Sequence, residues 1–404
     1  MNKKSAVALA VGALFAAPAV AQTGEVQIYG RVYPAFASFK ASGATAAGAA
    51  PSNLVSQPTA AAPDFKQRYS VDSYNTRIGF RGREALGGGM NAIWQIEQRV
   101  QIDTGAGLWA SRNSFVGLNG GFGTVKLGNF DTIYKEYGAI VSTFGISSGH
   151  FISTSAVLSD IGLNTNDSLY GDTGFHIRAP NSVMYETPSF GGFQAGIQYS
   201  SDEFKGNPGF GDLNTNLWSA GVKYEAGPLY LSAQYERHND WFDGSLNSAV
   251  PNSGANPNSK DTGIRLSARY SITPAHRLMA DISRLEWKED GQGAAGEFDK
   301  YKKVTWDIGW EARWGGPWRT NLVYARADEG DCSLSGGVAC STSGLKASHW
   351  AATVAYDLSK RTFLYGALSR LSMGDSARFD NWTNGTPPRG ADVTQWALGI
   401  THSF

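Results

Sequence analysis

From Val304 to Arg313 the chain alternates without a break. Val304, Trp306, Ile308, Trp310 and Ala312 are apolar, and Thr305, Asp307, Gly309, Glu311 and Arg313 between them are polar or tiny. Successive side chains of a strand point to opposite faces, so a period of two describes a strand with one apolar and one polar face. The split recurs along the chain. Trp218, Ala220, Val222 and Tyr224 alternate with Ser219, Gly221, Lys223 and Glu225, and Phe193, Ala195, Ile197 and Tyr199 with Gln194, Gly196, Gln198 and Ser200. Ile264, Leu266, Ala268 and Tyr270 alternate with Arg265, Ser267, Arg269 and Ser271; Trp94 and Ile96 alternate with Gln95, Glu97 and Arg99. Across Leu278 to Trp287 the phase slips after Ile282, which predicts a bulge or bend.

The connections alternate as well. Short turns fall at 87–89, 120–123, 189–192, 226–228, 273–275, 315–317 and 359–360. Between them lie long polar segments near 41–71, 104–110, 131–179, 203–214, 241–259, 290–301, 331–344 and 375–391. Seven short turns and eight long loops give sixteen strands. An even count with short turns at one end and long loops at the other is the build of a transmembrane β-barrel. A soluble sandwich or propeller would need its apolar faces to fill a core, and a propeller would carry a repeat of fixed length, which this chain lacks. The expected fold is therefore all-β, a 16-stranded antiparallel barrel with apolar faces on lipid and polar faces on the lumen. Tyr29, Trp287, Trp314, Trp318, Tyr356 and Tyr365, near strand ends, are candidates for interfacial girdles, although parity turns Tyr29 inward.

The rest of the sequence agrees. Lys3 and Lys4 precede an uncharged run, Ala6 to Ala21, ending Ala19-Val20-Ala21. This reads as a secretory signal peptide cut before Gln22, leaving a single barrel domain over 22–404. Lys+Arg and Asp+Glu are both 35, so no basic excess points to nucleic acid. Cys332 and Cys340, in an exported chain, are expected to close one loop by a disulfide. A metal site with His349 lacks a closer ligand cluster. Asp328, Glu329 and Asp331 read as a solvated loop before they read as a calcium site. No cofactor is implied, and none of the six histidines sits in a nucleophile motif.

Several segments resemble the Gram-negative general porins, especially the trimeric β-proteobacterial and neisserial branch. The opening strand Val26-Gln27-Ile28-Tyr29-Gly30-Arg31 is similar to that family's first strand. Thr76 to Gly82 followed by Ala92 to Gln98 is similar to its second hairpin, and Arg112 to Leu118 with Gly121 to Gly128 to the next. Tyr356 to Thr362 resembles a late hairpin, and Gly399 to Phe404 the last strand. The family's acidic turn appears here as Pro188-Ser189-Phe190, and the first loop is unusually rich in Ala and Pro.

The resemblance implies a trimeric outer-membrane porin of a Gram-negative bacterium. Small hydrophilic solutes and ions would cross it by passive diffusion, and its partners would be outer-membrane lipids and the barrel assembly machinery. The tail carrying His402 and Phe404 would be the assembly signal. A third loop, about 131–179, would fold inward; a loop of that length is expected to have a function. By strand parity and matching positions, Arg31, Arg77, Arg112 and Arg178 would form a basic cluster with Lys126 nearby. Asp131, Glu136, Asp160, Asp167 and Asp172 would supply an opposite, acidic side, and Glu97 would soften the field by pairing with an arginine. A weak anion preference follows. A solute-specific channel, for example for an organic acid, and a barrel displaying its loops as an adhesin or receptor remain alternatives.

Overall fold

The computed structural model describes residues 24–59, 64–107, 109–163, 174–201, 214–241, 253, 258–380 and 387–404, so the expected signal segment lies outside the described residues. The sixteen strands are present in one antiparallel sheet. The first two are each broken once: β1 runs Glu25–Val32 and Pro34–Ser42, and β2 runs Phe65–Ser73 and Arg77–Gly87. Then follow β3 (Met90–Arg99), β4 (Ser114–Gly120), β5 (Gly123–Asp131), β6 (Arg178–Glu186) and β7 (Phe193–Ser201). Next come β8 (Asn216–Ala226), β9 (Leu229–Asn239), β10 (Asn258–Thr273), β11 (His276–Asp290) and β12 (Phe298–Arg313). The last are β13 (Trp318–Ala327), β14 (Ala347–Asp357), β15 (Thr362–Met373) and β16 (Asp392–Ser403). A short extra strand, Asp331–Leu334, extends β12 above the barrel.

The sheet closes on itself. β16 pairs with both halves of β1, and Gly30 and Phe404 exchange backbone hydrogen bonds of 3.1 Å each way. The two faces then sort by chemistry in the reverse of a soluble protein. Ile308, Leu266 and Leu398 are 50%, 55% and 62% exposed on the outer face, while Asp307, Ser267 and Gln395 on the inner face are buried. An apolar exterior over a polar interior is stable only where hydrocarbon replaces water outside, and closure leaves no unpaired strand edge there.

The structure corrects three expectations. No bulge follows Ile282: β11 keeps an unbroken register from Arg277, opposite Ser271 of β10, to Asp290, opposite Asn258, and from His276, opposite Ala312 of β12, to Lys288, opposite Lys300. What changes is the solvent. Leu278, Ala280 and Ile282 face outward, and so do Arg284, Glu286 and Lys288 farther along the same face. The strand leaves the apolar band at Arg284, and its inner face there carries Leu285 and Trp287. Trp287 and Tyr365 are therefore not girdle residues; both are buried on the inner face. Trp314, Trp318 and Tyr356 are exposed on the outer face, and Tyr29 points inward to donate its hydroxyl to Glu97 at 3.0 Å.

At the long-loop end, Cys332 and Cys340 are bonded to each other. The first loop binds the segment they enclose: Asn53 Nδ2 donates to the Ala339 carbonyl at 2.7 Å, and Ser341 N–H returns to Asn53 Oδ1 at 2.8 Å. Ser52 adds a bond from its hydroxyl to the Ser341 carbonyl at 2.7 Å.

A cation on the lipid face tests the sidedness. Ile308→Lys should destabilise the barrel by about 2–4 kcal/mol, read as denaturant-dependent folding into phosphatidylcholine vesicles, while Lys302→Arg, beyond the apolar band, should leave it unchanged.

Candidate constriction site

The segment after β5 crosses the inner face. Thr132 caps helix α1 (Ile133–Gly138), its hydroxyl accepting the Lys135 N–H at 3.3 Å. The helix is laid on β7 to β9 by hydrogen bonds at its free ends. The N–H groups of Ile133 and Tyr134 donate to Gln198 at 3.1 Å and Ser219 at 2.9 Å. The Tyr137 carbonyl accepts from Tyr230 at 2.6 Å and Ser232 at 3.0 Å. Two glycines make the seat. Gly196 and Gly221 face each other across β7 and β8, and a Cβ on Gly196 would fall 2.5 Å from Ile133 Cδ1.

The chain then travels across the far wall. Thr143 bonds to Asn321 at 2.7 Å, and Thr154 donates to Asp307 Oδ2 at 2.6 Å just before the short helix α2 (Ser155–Ser159). Thr305 donates to the Leu158 carbonyl at 2.6 Å, and Lys303 Nζ to the carbonyls of Asp160 at 2.6 Å and Ile161 at 3.0 Å. On the way, His150 is packed against Tyr74, with ring centroids 3.9 Å apart, and beside Tyr33, Phe151 and Tyr365. Its Nδ1 accepts the Ile152 N–H at 3.2 Å, which leaves the proton on Nε2, 3.4 Å from the Tyr365 hydroxyl.

The arginines gather on β1 to β6. Arg31 and Arg77 are cross-strand partners. Glu97 sits between Arg77, at 3.5 Å, and Arg112, at 2.5 Å. Asp131 joins Arg178 at 2.9 Å to Lys135 at 3.1 Å, and Arg178 also donates to Asn113. Lys126 pairs with Glu186 at 3.1 Å, which also accepts the Tyr137 hydroxyl at 3.0 Å. Three carboxylates thus serve five cations, and among the described residues Arg31 has no carboxylate partner and one of its terminal nitrogens is buried without a hydrogen bond.

The acids are not where an opposed row would put them. Asp131 lies inside the basic cluster, and Glu136 is exposed on α1, in the field of Lys126 and Glu186. Asp160 is set apart beside Lys303 on β12. Asp167 and Asp172 lie outside the described residues. Glu97 does pair with arginine, and with two of them. The acids of the far wall were missed: Glu236, Asp261, Asp281 and Asp307 project inward from β9 to β12 and are 0–3% exposed, with the crossing segment bonded onto Asp307. Parity alone could have found them, since Asp307 is an inward position of the most regular strand.

His150 makes the anchoring depend on pH. Burial pushes its imidazole down to about 3 from an ordinary 6.5. A released ring takes up a proton near 6.5, so anchoring is complete above that value and weakens as pH falls toward 3. Single-channel records should be noisier at about pH 5 than at about pH 7. His150→Phe should remove that difference; an unchanged pH response would exclude this histidine.

A family profile for Gram-negative porins matches residues 6–376. The chain is 30% identical over 240 residues to the major outer membrane protein P.IB of Neisseria lactamica, covering 59% of this chain and 60% of that protein. It is 32% identical over 234 residues to the Neisseria gonorrhoeae protein of the same name, covering 58% and 56%. The match thus spans about 60% of the length of these relatives. An anion-selective porin from Comamonas acidovorans superposes with a TM-score of 0.69 at 24% identity, covering 94% of this chain and 100% of that one. Salmonella typhi OmpF, in complex with daunomycin, superposes with a TM-score of 0.58 at 16% identity, covering 94% and 97%. With sixteen closed strands, an apolar outer wall and a basic cluster inside, this chain belongs to the Gram-negative porin family and is a β-barrel of the outer membrane.

Proposed function

We propose that the protein is a water-filled channel for passive diffusion of small hydrophilic solutes and ions, with a weak preference for anions. A barrel of sixteen strands is too wide for its own side chains to fill. The segment from Thr132 to Leu163, bonded to the inner faces of β7 to β13, serves in this reading as the narrowing loop. Transport needs no chemical step, and no residue is assigned a catalytic role.

The imbalance of charge around the arginines carries the anion preference. Glu97, Asp131 and Glu186 are each bound to cations, so they offset that wall only in part, and none of the described carboxylates pairs with Arg31. The carboxylates of β9 to β12 are covered by the loop and act weakly on a passing ion, whereas the guanidinium row stays partly exposed, Arg77 at 25% and Arg112 at 22%. Partly desolvated charges at a narrow point influence an ion more than charges in bulk water do.

The test is a reversal potential across a planar bilayer under a potassium chloride gradient. Chloride should be preferred, Glu97→Gln should strengthen the preference by freeing Arg77 and Arg112, and Arg31→Gln with Arg77→Gln should abolish it. A potassium preference in the unaltered protein would overturn the reading. The same reading makes the working unit a homotrimer, inserted by the barrel assembly machinery through the last strand, where His402 and Phe404 lie on the outward face. Conductance steps grouped in threes from unboiled protein, collapsing after boiling, are the expected signature.

A further inference from the structure

The crossing segment is held differently at its two ends. From Ile133 to Leu158 its polar groups end on the barrel wall, at Gln198, Ser219, Asn321, Asp307 and Thr305. The carbonyls of Asp160 and Ile161 are still held from the wall, by the buried ammonium of Lys303 on β12. The next two carbonyls are taken by the surface loop between β15 and β16. The Arg378 N–H donates to the Gly162 carbonyl at 2.9 Å, and Arg389 Nη2 donates to the Leu163 carbonyl at 3.2 Å.

Two side chains of that loop make the grip. Phe379, fully buried, lies on Gly162, whose φ of +75° suits glycine and whose missing side chain leaves room for the ring. The Lys303 ammonium sits 4.7 Å from the centroid of the same ring, and Val157 of α2 joins Phe379 in one apolar cluster. Arg389 forks between two segments: besides Leu163, it donates through Nη1 to the Ser376 carbonyl of its own loop. Its backbone carbonyl accepts the Thr45 N–H of the first loop at 2.9 Å, and the Ser52 N–H of that loop donates to Ser376 Oγ at 2.9 Å. The first loop, the last loop and the far end of the crossing segment are thus one bonded block.

We propose that Arg389 and Phe379 are positioning residues of the channel, holding the far end of the crossing segment clear of the passage; the inference rests on that segment being the narrowing loop. The wall bonds fix the segment as far as Ile161. Release at Gly162 and Leu163 therefore frees only the end, which swings into the lumen and interrupts the current while the barrel stays folded. A clamp made by the wall moves only with the barrel, whereas one made by a surface loop moves with that loop. The width of the passage is in this way set partly from the cell surface.

Single-channel recording from the full-length protein in planar bilayers, at about pH 7 where the His150 ring is neutral, provides the test. Arg389→Met and Phe379→Ala should each make brief closures about tenfold more frequent, the factor expected from losing one charged hydrogen bond. Heat-modifiable mobility on gels should be unchanged, which separates a displaced segment from an unfolded barrel. The double variant should be no noisier than the noisier single one, because both residues hold the same end. Arg370→Gln cuts an exposed ion pair with Asp392 beside the same loop, on the outer face, and should leave the record unchanged. Unaltered records from both single variants, additive effects in the double variant, or equal noise from Arg370→Gln would overturn the assignment. Folded, unaltered protein that passes no current would instead overturn the channel reading, and this inference with it.

Discussion

Everything in this molecule depends on satisfying backbone hydrogen bonds where there is no water. Each N–H and C=O left unpaired in hydrocarbon costs several kcal/mol, so a sheet can cross a membrane only by returning to its own first strand. The bonds between Gly30 and Phe404 and the pairing of β16 with β1 complete that circuit. Once closed, the pleat places alternate side chains on lipid and on the lumen, and the alternating sequence follows from that geometry.

The interior is then organised by one crossing segment. Its helix α1 fits because Gly196 and Gly221 leave a shallow bed, and its backbone polar groups end on serine, glutamine and tyrosine side chains of the wall. Along the far wall it covers a set of carboxylates, while on the near wall the arginines stay open to the passage. In the proposed reading the segment does more than narrow the lumen: it decides which wall a passing ion meets. Fixed charge that is hidden and fixed charge that is exposed have unequal effects, and the asymmetry arises from packing rather than from the number of charges on each side.

The fold was legible in the sequence because lipid imposes a strictly local rule. Val304 to Arg313 records its two environments residue by residue, and Gly/Pro-rich turns mark the strand ends. The arginines followed the same parity. The rule failed where the surroundings changed along a strand. Past Ile282 the outer face meets water and the inner face meets the crossing segment, so polarity inverts at Arg284 and Trp287 without any change in backbone register. Tyr365 was misplaced for a related reason, since its partners Tyr33 and His150 come from distant parts of the chain. The location of Asp131 among cations could not be read from spacing, because it depends on how the chain turns after β5.

The tie between Asn53 and Ser341 joins residues 288 positions apart. Whatever approaches the cell from outside meets the first loop and the disulfide-closed segment as one composite surface. An antibody raised against that surface would read both segments at once, and a linear peptide copied from either would present only half of what it recognises. Sequence change in one loop is thereby felt in the shape of the other, so the antigenic identity of this rim belongs to the folded barrel and to no single stretch of its chain.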